Sequence, residues 1–101
     1  MSTAAILGVH CVPSLTQERY EEVVRRLTNG RGHPLHSMSE LPFEGLLVHV
    51  AAQTEDGFLI FDVFESQEAF ERFGERMGSI PKQVGIAEGL KLYPAHTFIS
   101  A

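Results

Sequence analysis

The sequence predicts one α+β domain, residues 1–101, whose strands and helices follow the order βαββαβ. Apolar runs rich in β-branched residues indicate strands, and two segments with apolar residues at helical spacing indicate helices. Turn-forming residues separate these segments. The chain has 101 residues, of which 44% are hydrophobic and 21% charged, a composition typical of a single globular domain.

The first strand is predicted at residues 4–12, a mostly apolar run that ends at Pro13. Thr16 is placed to cap the helix that follows, and Asn29 with Gly30 ends that helix. The apolar residues of the helix recur at i, i+3, i+4 and i+7 and define one buried stripe, which consists of Tyr20, Val23, Val24 and Leu27.

Residues 31–43 contain two prolines but little periodicity, so they are predicted to form a long loop. Loops of this length are often lids over binding sites, which makes His36 a candidate ligand contact. His33 and His36 also form an HxxH pair. Because a metal ion needs three or four ligands in a defined geometry, two loop histidines do not predict a metal site, and no cofactor is expected.

The second half of the chain begins with a predicted β-hairpin at residues 44–66, which turns at residues 55–57. Ser66 is placed to cap the second helix. The apolar face of that helix contains Ala69, Phe70, Phe73 and Met77.

The last part of the chain completes the helical layer and the sheet. Residues 78–81 interrupt the second helix, and residues 82–86 add a final helical turn. Residues 90–100 form a fourth strand, which lies at an edge or carries a bulge because Pro94 has no N–H to donate. The complete order suggests a ferredoxin-like, split βαβ fold with an antiparallel-dominated four-stranded sheet and both helices on one face.

The hairpin strands carry apolar side chains on both faces of the predicted sheet. Along the first hairpin strand, Leu46, Val48 and Val50 point to one side. Leu47 and Ala51 point to the other. A sheet that is apolar on both faces must be covered on both, and a second copy of the chain is the simplest cover for the face without helices. A homodimer is therefore expected.

Each hairpin strand carries one ionisable residue, His49 or Asp62, and alternation predicts that the two share a face. A turn at residues 55–56 places them directly opposite each other. A turn at residues 56–57 makes them diagonal neighbours, still within direct or one-water reach. Their predicted companions on that face are Phe58, Ile60, Phe64, Leu47 and Ala51.

A buried imidazole and a buried carboxylate are tolerable only if they pair, form hydrogen bonds or line a wet cavity. Two interpretations stay open. The pair either fixes the strand register alone, or it lines a ligand pocket in which Asp62 orients His49 as a hydrogen-bond anchor or general base.

Other candidate site residues are less firmly placed. His96 near the end of the last strand is a candidate second catalytic group, although a structural or solvent-facing histidine is favoured. Candidate walls of the pocket are the aromatic residues Tyr20, Phe58, Phe64, Phe70 and Phe73. For Tyr20, a core position with its hydroxyl at the rim is favoured over a role as a catalytic acid.

Charge and motifs argue against several classes of protein. The formal net charge of −5 with scattered Lys and Arg disfavours nucleic-acid binding. No apolar run reaches the roughly 20 residues of a membrane-spanning helix, and the N-terminus lacks the pattern of a signal peptide, so a cytoplasmic protein is expected. The single cysteine, Cys11, fits a reducing compartment and is expected to be buried and unreactive. The sequence lacks P-loop, dinucleotide-binding glycine and GxSxG motifs.

Three segments carry a resemblance to a known group of proteins: LTQERYEEVVRRL, GLLVHVAAQTEDGFLIFDVFESQEAFERF and YPAHTF. They resemble small, mostly uncharacterised bacterial proteins of the dimeric α+β barrel superfamily, which includes the antibiotic biosynthesis monooxygenase family. The resemblance covers nearly the whole chain. It implies a homodimer of βαββαβ subunits whose sheets form a barrel, with a ligand cleft between sheet and helices. His49, Asp62 and His96 match positions that the group usually keeps, whereas Phe64 stands where tryptophan is common.

Known activities in the superfamily include cofactor-free oxygenation of aromatic polyketides, haem degradation, and isomerisation or cyclisation of small metabolites. Fold alone therefore does not fix the function. The resemblance and the candidate site together suggest a cofactor-free enzyme of the monooxygenase, cyclase or isomerase type, acting on a small apolar or aromatic metabolite. The alternatives are a non-catalytic metabolite-binding or structural homodimer, and a haem-degrading monooxygenase.

Overall fold

The computed structural model describes residues 5–30, 35, 37–87 and 89–100. The strands are β1 (Ile6–His10), β2 (Leu46–Thr54), β3 (Gly57–Phe64) and β4 (Lys91–Pro94). They form one antiparallel sheet in the order β2-β3-β1-β4. The helices are α1 (Gln17–Leu27), α2 (Gln67–Met77) and the short α3 (Ile80–Gln83), with a 3₁₀ helix at Met38–Glu40. Among the described helices, none combines the length and the apolar character needed to cross a membrane.

Helices α1 and α2 pack on the same face of the sheet. Tyr20 and Val24 of α1 cluster with Phe58, and Ala69 of α2 clusters with Phe64. Phe58 and Phe64 are an even number of positions apart on β3, so their side chains point to the same side. The predicted α+β architecture is confirmed, and the layers are compatible with a ferredoxin-like fold.

The two long helices begin at the predicted caps. The Thr16 hydroxyl accepts a hydrogen bond from the Arg19 N–H at 3.2 Å, and the Ser66 hydroxyl accepts one from the Ala69 N–H at 3.1 Å. Helix α1 ends where Asn29 adopts a positive φ of 55°, a conformation that closes helices. These local signals place both helices correctly in the sequence.

Several predicted boundaries are wrong. Strand β1 covers Ile6–His10 rather than residues 4–12, and Cys11, just beyond it, is exposed rather than buried. Strand β4 ends at Pro94 instead of continuing toward the C-terminus. The second helix is interrupted as predicted, at Gly78 and Ser79, but the final helical turn is α3 (Ile80–Gln83) rather than residues 82–86. Pro81 lies in the first turn of α3, where its missing N–H costs no helical hydrogen bond.

A β-bulge at the start of β2 changes which leucine faces the helices. Leu46 pairs with Phe64 and Val48 with Val63, so Leu47 is an extra residue between two pairs. Leu46 is therefore buried against Phe64, and Leu47 is 43% exposed. Strict alternation predicted the reverse, and that prediction is wrong at this point.

Candidate functional site

The hairpin turn sets the register that brings His49 opposite Asp62. Thr54 pairs with Gly57, the first of the two predicted registers, and His49 pairs with Asp62 in the same ladder. Nδ1 of His49 lies 2.6 Å from Oδ1 of Asp62, and the two side chains are only 17% and 7% exposed. The predicted shared face is confirmed. Because a carboxylate only accepts hydrogen bonds, the bond requires the proton on Nδ1.

Tyr20 extends this pair into a hydrogen-bonded triad of Tyr20, His49 and Asp62. Its hydroxyl oxygen lies 2.6 Å from Nε2 of His49, and its ring stacks on the imidazole with centroids 5.8 Å apart. When His49 is neutral with its proton on Nδ1, the Tyr20 hydroxyl donates to Nε2. When His49 is an imidazolium, Nε2–H donates to the Tyr20 oxygen.

The environment of Tyr20 keeps its hydroxyl protonated. Burial, followed by the negative charges of Asp62 and Glu21, raises the pKa of Tyr20 from 10.0 to about 12. The residue is only 5% exposed. A stable phenolate is therefore disfavoured at neutral pH, so Tyr20 is suited to donate or pass on a proton rather than to act as an anionic nucleophile.

Two spaces adjoin the triad. An inner cavity of about 70 Å³ lies between the helices and the sheet and is lined mostly by apolar side chains, together with His10, Tyr20, His49 and Asp62. A wider recess of about 370 Å³ is lined by Tyr20, Leu35, Ser37, Met38, Leu41, His49 and Ala51. The two linings share Tyr20, His49 and Leu41. Tyr20 and His49 of the triad therefore lie where the two spaces meet.

The recess has the size of a ligand site and the inner cavity does not. Small-molecule pockets typically measure about 300–1,000 Å³. An apolar cavity that holds benzene measures about 150 Å³, twice the inner cavity. A metabolite would therefore reach the triad from the recess, where it meets Tyr20 and His49 while Asp62 lies behind them.

Most of the predicted aromatic walls belong to the core instead. Phe64 is 1% exposed and packs between the rings of Phe70 and Phe73 at centroid distances of 5.4 and 5.0 Å. Phe58 is buried against Tyr20 at 5.3 Å. Phe58, Phe64 and Phe70 line neither space, whereas Phe73 lines the inner cavity and Tyr20 lines both.

His96, the other described histidine that was predicted for the site, is not brought to the triad. His96 is exposed beyond β4, with Nδ1 3.0 Å from the Thr97 hydroxyl, and it lines neither space. His33 and His36 lie outside the described residues. Within the part of the chain that the structure describes, no group of three or more His, Cys, Asp or Glu residues is arranged to hold a metal ion.

The sequence predicted the loop beside the recess only in general terms. Its described part contains the 3₁₀ helix Met38–Glu40, in which the Ser37 N–H donates to Oε2 of Glu40 at 3.2 Å. The spacing of Ser37 and Glu40 is a capping-box pattern that could have located this turn. Leu35 and Leu41 flank the turn and line the recess. No comparable sequence signal marks these two residues.

Comparison of the chain with protein-family models, with curated proteins and with solved structures gives no significant match. The resemblance to the dimeric α+β barrel superfamily therefore stays a prediction. The chemistry of the site follows from its residues and their geometry.

The raised pKa of Tyr20 implies a pH dependence of stability. The folded chain holds this proton more tightly than the unfolded chain, so the contribution is complete below pH 10 and is lost as the pH rises toward 12. One pKa unit corresponds to about 1.4 kcal/mol, so the loss should be about 2–3 kcal/mol. Denaturant unfolding at a series of alkaline pH values should show this loss in the wild type and not in Tyr20→Phe.

Tyr93 offers the matched control, because the chain has two tyrosines and Tyr93 is exposed. In Tyr93→Phe the ultraviolet absorbance of the phenolate reports Tyr20 alone. This band should rise with a midpoint near pH 12 in the folded protein. A midpoint near 10 would mean that the Tyr20 hydroxyl is not held as described.

Proposed function

We propose that this protein binds a small apolar or aromatic metabolite in the recess and acts on it as a cofactor-free enzyme, with the triad moving a proton. One observation carries the proposal. Two hydrogen bonds of 2.6 Å link the Tyr20 hydroxyl, the His49 imidazole and the Asp62 carboxylate at the edge of a space of ligand size. A pair that only fixed the strand register would need neither the tyrosine hydroxyl nor the adjacent recess.

The triad has the parts of a general base. Asp62 holds the proton of His49 on Nδ1, which leaves the Nε2 side of the ring to take up a proton. The carboxylate then stabilises the imidazolium that forms. Because the pair is largely removed from water, this charge interaction is stronger than it would be on the surface.

This base supports the reaction types that the sequence suggested. Loss of a proton next to a carbonyl starts an isomerisation or cyclisation, and loss of a phenol proton gives an electron-rich anion that can react with dioxygen. Both begin with transfer of a proton from the substrate to the triad. The lining of the recess includes the apolar side chains of Leu35, Met38, Leu41 and Ala51, which suits a largely apolar substrate.

The proposal includes a homodimer formed through the sheet face opposite the helices, called the outer face. Strand pairing and alternation place on it Leu7, Val9, Val48, Val50, Leu59, Phe61, Val63, Tyr93 and Lys91. Val50 and Tyr93 are 46% and 48% exposed, most of the other apolar residues on this face are half-buried, and Val63 is buried. Exposed apolar side chains on one sheet face favour an interaction surface, and a second copy of this face would cover them. The resemblance to dimeric barrels supports the same arrangement.

Loss of His49 should abolish proton transfer to the triad. The probe is 1-tetralone, a small aryl ketone, in deuterium oxide, and proton NMR measures the exchange of the protons next to its carbonyl. The wild type should accelerate this exchange over buffer. His49→Phe should reduce the acceleration by about 100-fold or more, because general base catalysis typically contributes about 10²–10⁴-fold.

His96→Phe is the matched variant, since it removes an exposed imidazole outside the recess, and it should leave the exchange rate within about twofold. Far-UV circular dichroism checks the fold of both variants. If the wild type neither accelerates exchange nor consumes dioxygen with a hydroquinone, the non-catalytic alternative replaces the enzyme.

A charge on the outer face should separate the subunits. Val50→Lys buries an uncompensated ammonium group in the proposed interface, which costs several kcal/mol. Sedimentation velocity should give twice the chain mass of 11.2 kDa for the wild type and a single chain for Val50→Lys. Gln53→Lys is the matched control, because Gln53 is an exposed residue of the same strand on the opposite face. A monomeric wild type would rule out this interface.

A further inference from the structure

The nitrogen of His49 that would take up a proton already has a partner. Nδ1 is bonded to Asp62, and the Tyr20 oxygen lies 2.6 Å from Nε2. Ring stacking at 5.8 Å with planes 20° apart holds the tyrosine beside the imidazole. A molecule in the recess can therefore reach Nε2 only by displacing the Tyr20 hydroxyl or by acting through it.

The direction of these hydrogen bonds sets what the Tyr20 oxygen can bind. With His49 neutral, the Tyr20 proton points at Nε2, so the oxygen meets further groups as an acceptor. The partner that matches an acceptor is a hydrogen-bond donor, such as a ligand hydroxyl. The negative charges of Asp62 and Glu21 disfavour the negatively charged phenolate of Tyr20. The same charges disfavour a ligand carboxylate next to the Tyr20 oxygen.

We infer that Tyr20 is a catalytic residue that relays a proton from the substrate to His49, and that the substrate carries a weakly acidic neutral hydroxyl, that of a phenol or an enol. This inference rests on the proposed function and adds to it the path of the proton and the chemical class of the substrate.

The relay moves two protons in one direction. The substrate O–H bond breaks and its proton bonds to the Tyr20 oxygen, while the Tyr20 O–H bond breaks and its proton bonds to Nε2. The substrate becomes an oxyanion and His49 becomes an imidazolium next to the Asp62 carboxylate. Tyr20 is neutral at the start and at the end, as its protonated state requires, and its new O–H donates to the substrate oxyanion. No electrons leave the substrate, so the step needs no co-reactant.

The probe for this relay is 4-nitrophenol, because its anion absorbs visible light and its neutral form does not. Titration is carried out below the pH at which the free probe ionises. The wild type should bind the probe with growth of the anion band. The ether 4-nitroanisole, which lacks the O–H, should bind about tenfold or more weakly, a difference of about 1.4 kcal/mol.

Tyr20→Phe keeps the ring and removes the relay oxygen. This variant should bind the probe but leave it neutral, with the ionised fraction reduced about tenfold or more, and His49→Gln should behave alike. Tyr93→Phe removes the other phenol of the chain, which lies on the outer face and lines neither space, and should ionise the probe as the wild type does. Ionisation at the wild-type level in Tyr20→Phe would overturn the relay and leave the proposed function standing, because the proton would then pass directly to His49.

The wild-type complex gives a second measurement that does not depend on a folded variant. If the relay operates, the His49 Nε2–H should show a nuclear Overhauser effect to the ring protons of Tyr20. A nuclear Overhauser effect to the ring protons of 4-nitrophenol instead would overturn the relay. If the wild type binds no 4-nitrophenol but still accelerates exchange of the ketone, the hydroxyl class is wrong and the proposed function survives. If both probes fail and the wild type consumes no dioxygen with a hydroquinone, both proposals fall.

Discussion

The hydrogen bond between His49 and Asp62 is the constraint on which the site depends. It fixes the proton of the imidazole on Nδ1, and this choice points the opposite nitrogen at Tyr20. Without the carboxylate, a neutral imidazole can carry its proton on Nε2. The Tyr20 hydroxyl then can no longer donate to Nε2, and the direction of the hydrogen bonds is no longer fixed. Removing His49 would also leave the buried Asp62 carboxylate without this hydrogen-bond partner, and an unsatisfied buried charge is destabilising.

One sheet serves two purposes because successive side chains alternate between its faces. The positions of β2 and β3 that point toward the helices carry the polar pair and its apolar neighbours. The positions between them carry the apolar surface proposed to join two subunits. At the entry to β2 the packing is tight: Gly45 has a φ of 87°, and a Cβ there would lie 2.6 Å from the Cβ of Ala69. Glycine at this position therefore lets α2 pack against the start of the strand.

The parts of the site that depend on local rules could be predicted from the sequence. A two-residue turn and the alternation of a strand suffice to place His49 opposite Asp62. The bond from Tyr20 could not be predicted, because it depends on how α1 lies over the sheet, and the helical stripe shows only that the residue faces inward. Leu46 and Leu47 were assigned to the wrong faces because one extra residue in β2 reverses the alternation. Phe58, Phe64 and Phe70, the predicted walls of the pocket, do lie between the sheet and the helices. Their rings fill the core there and line neither the cavity nor the recess.

Nitrogen-detected NMR of the His49 side chain tests the central interaction most directly. The 2.6 Å bond to Asp62 places the proton of the neutral imidazole on Nδ1. The ¹⁵N spectrum at neutral pH should therefore show a protonated Nδ1 with a slowly exchanging hydrogen. A neutral imidazole with its proton on Nε2, or rapid averaging between the two nitrogens, would contradict the structure of the triad and the chemistry inferred from it.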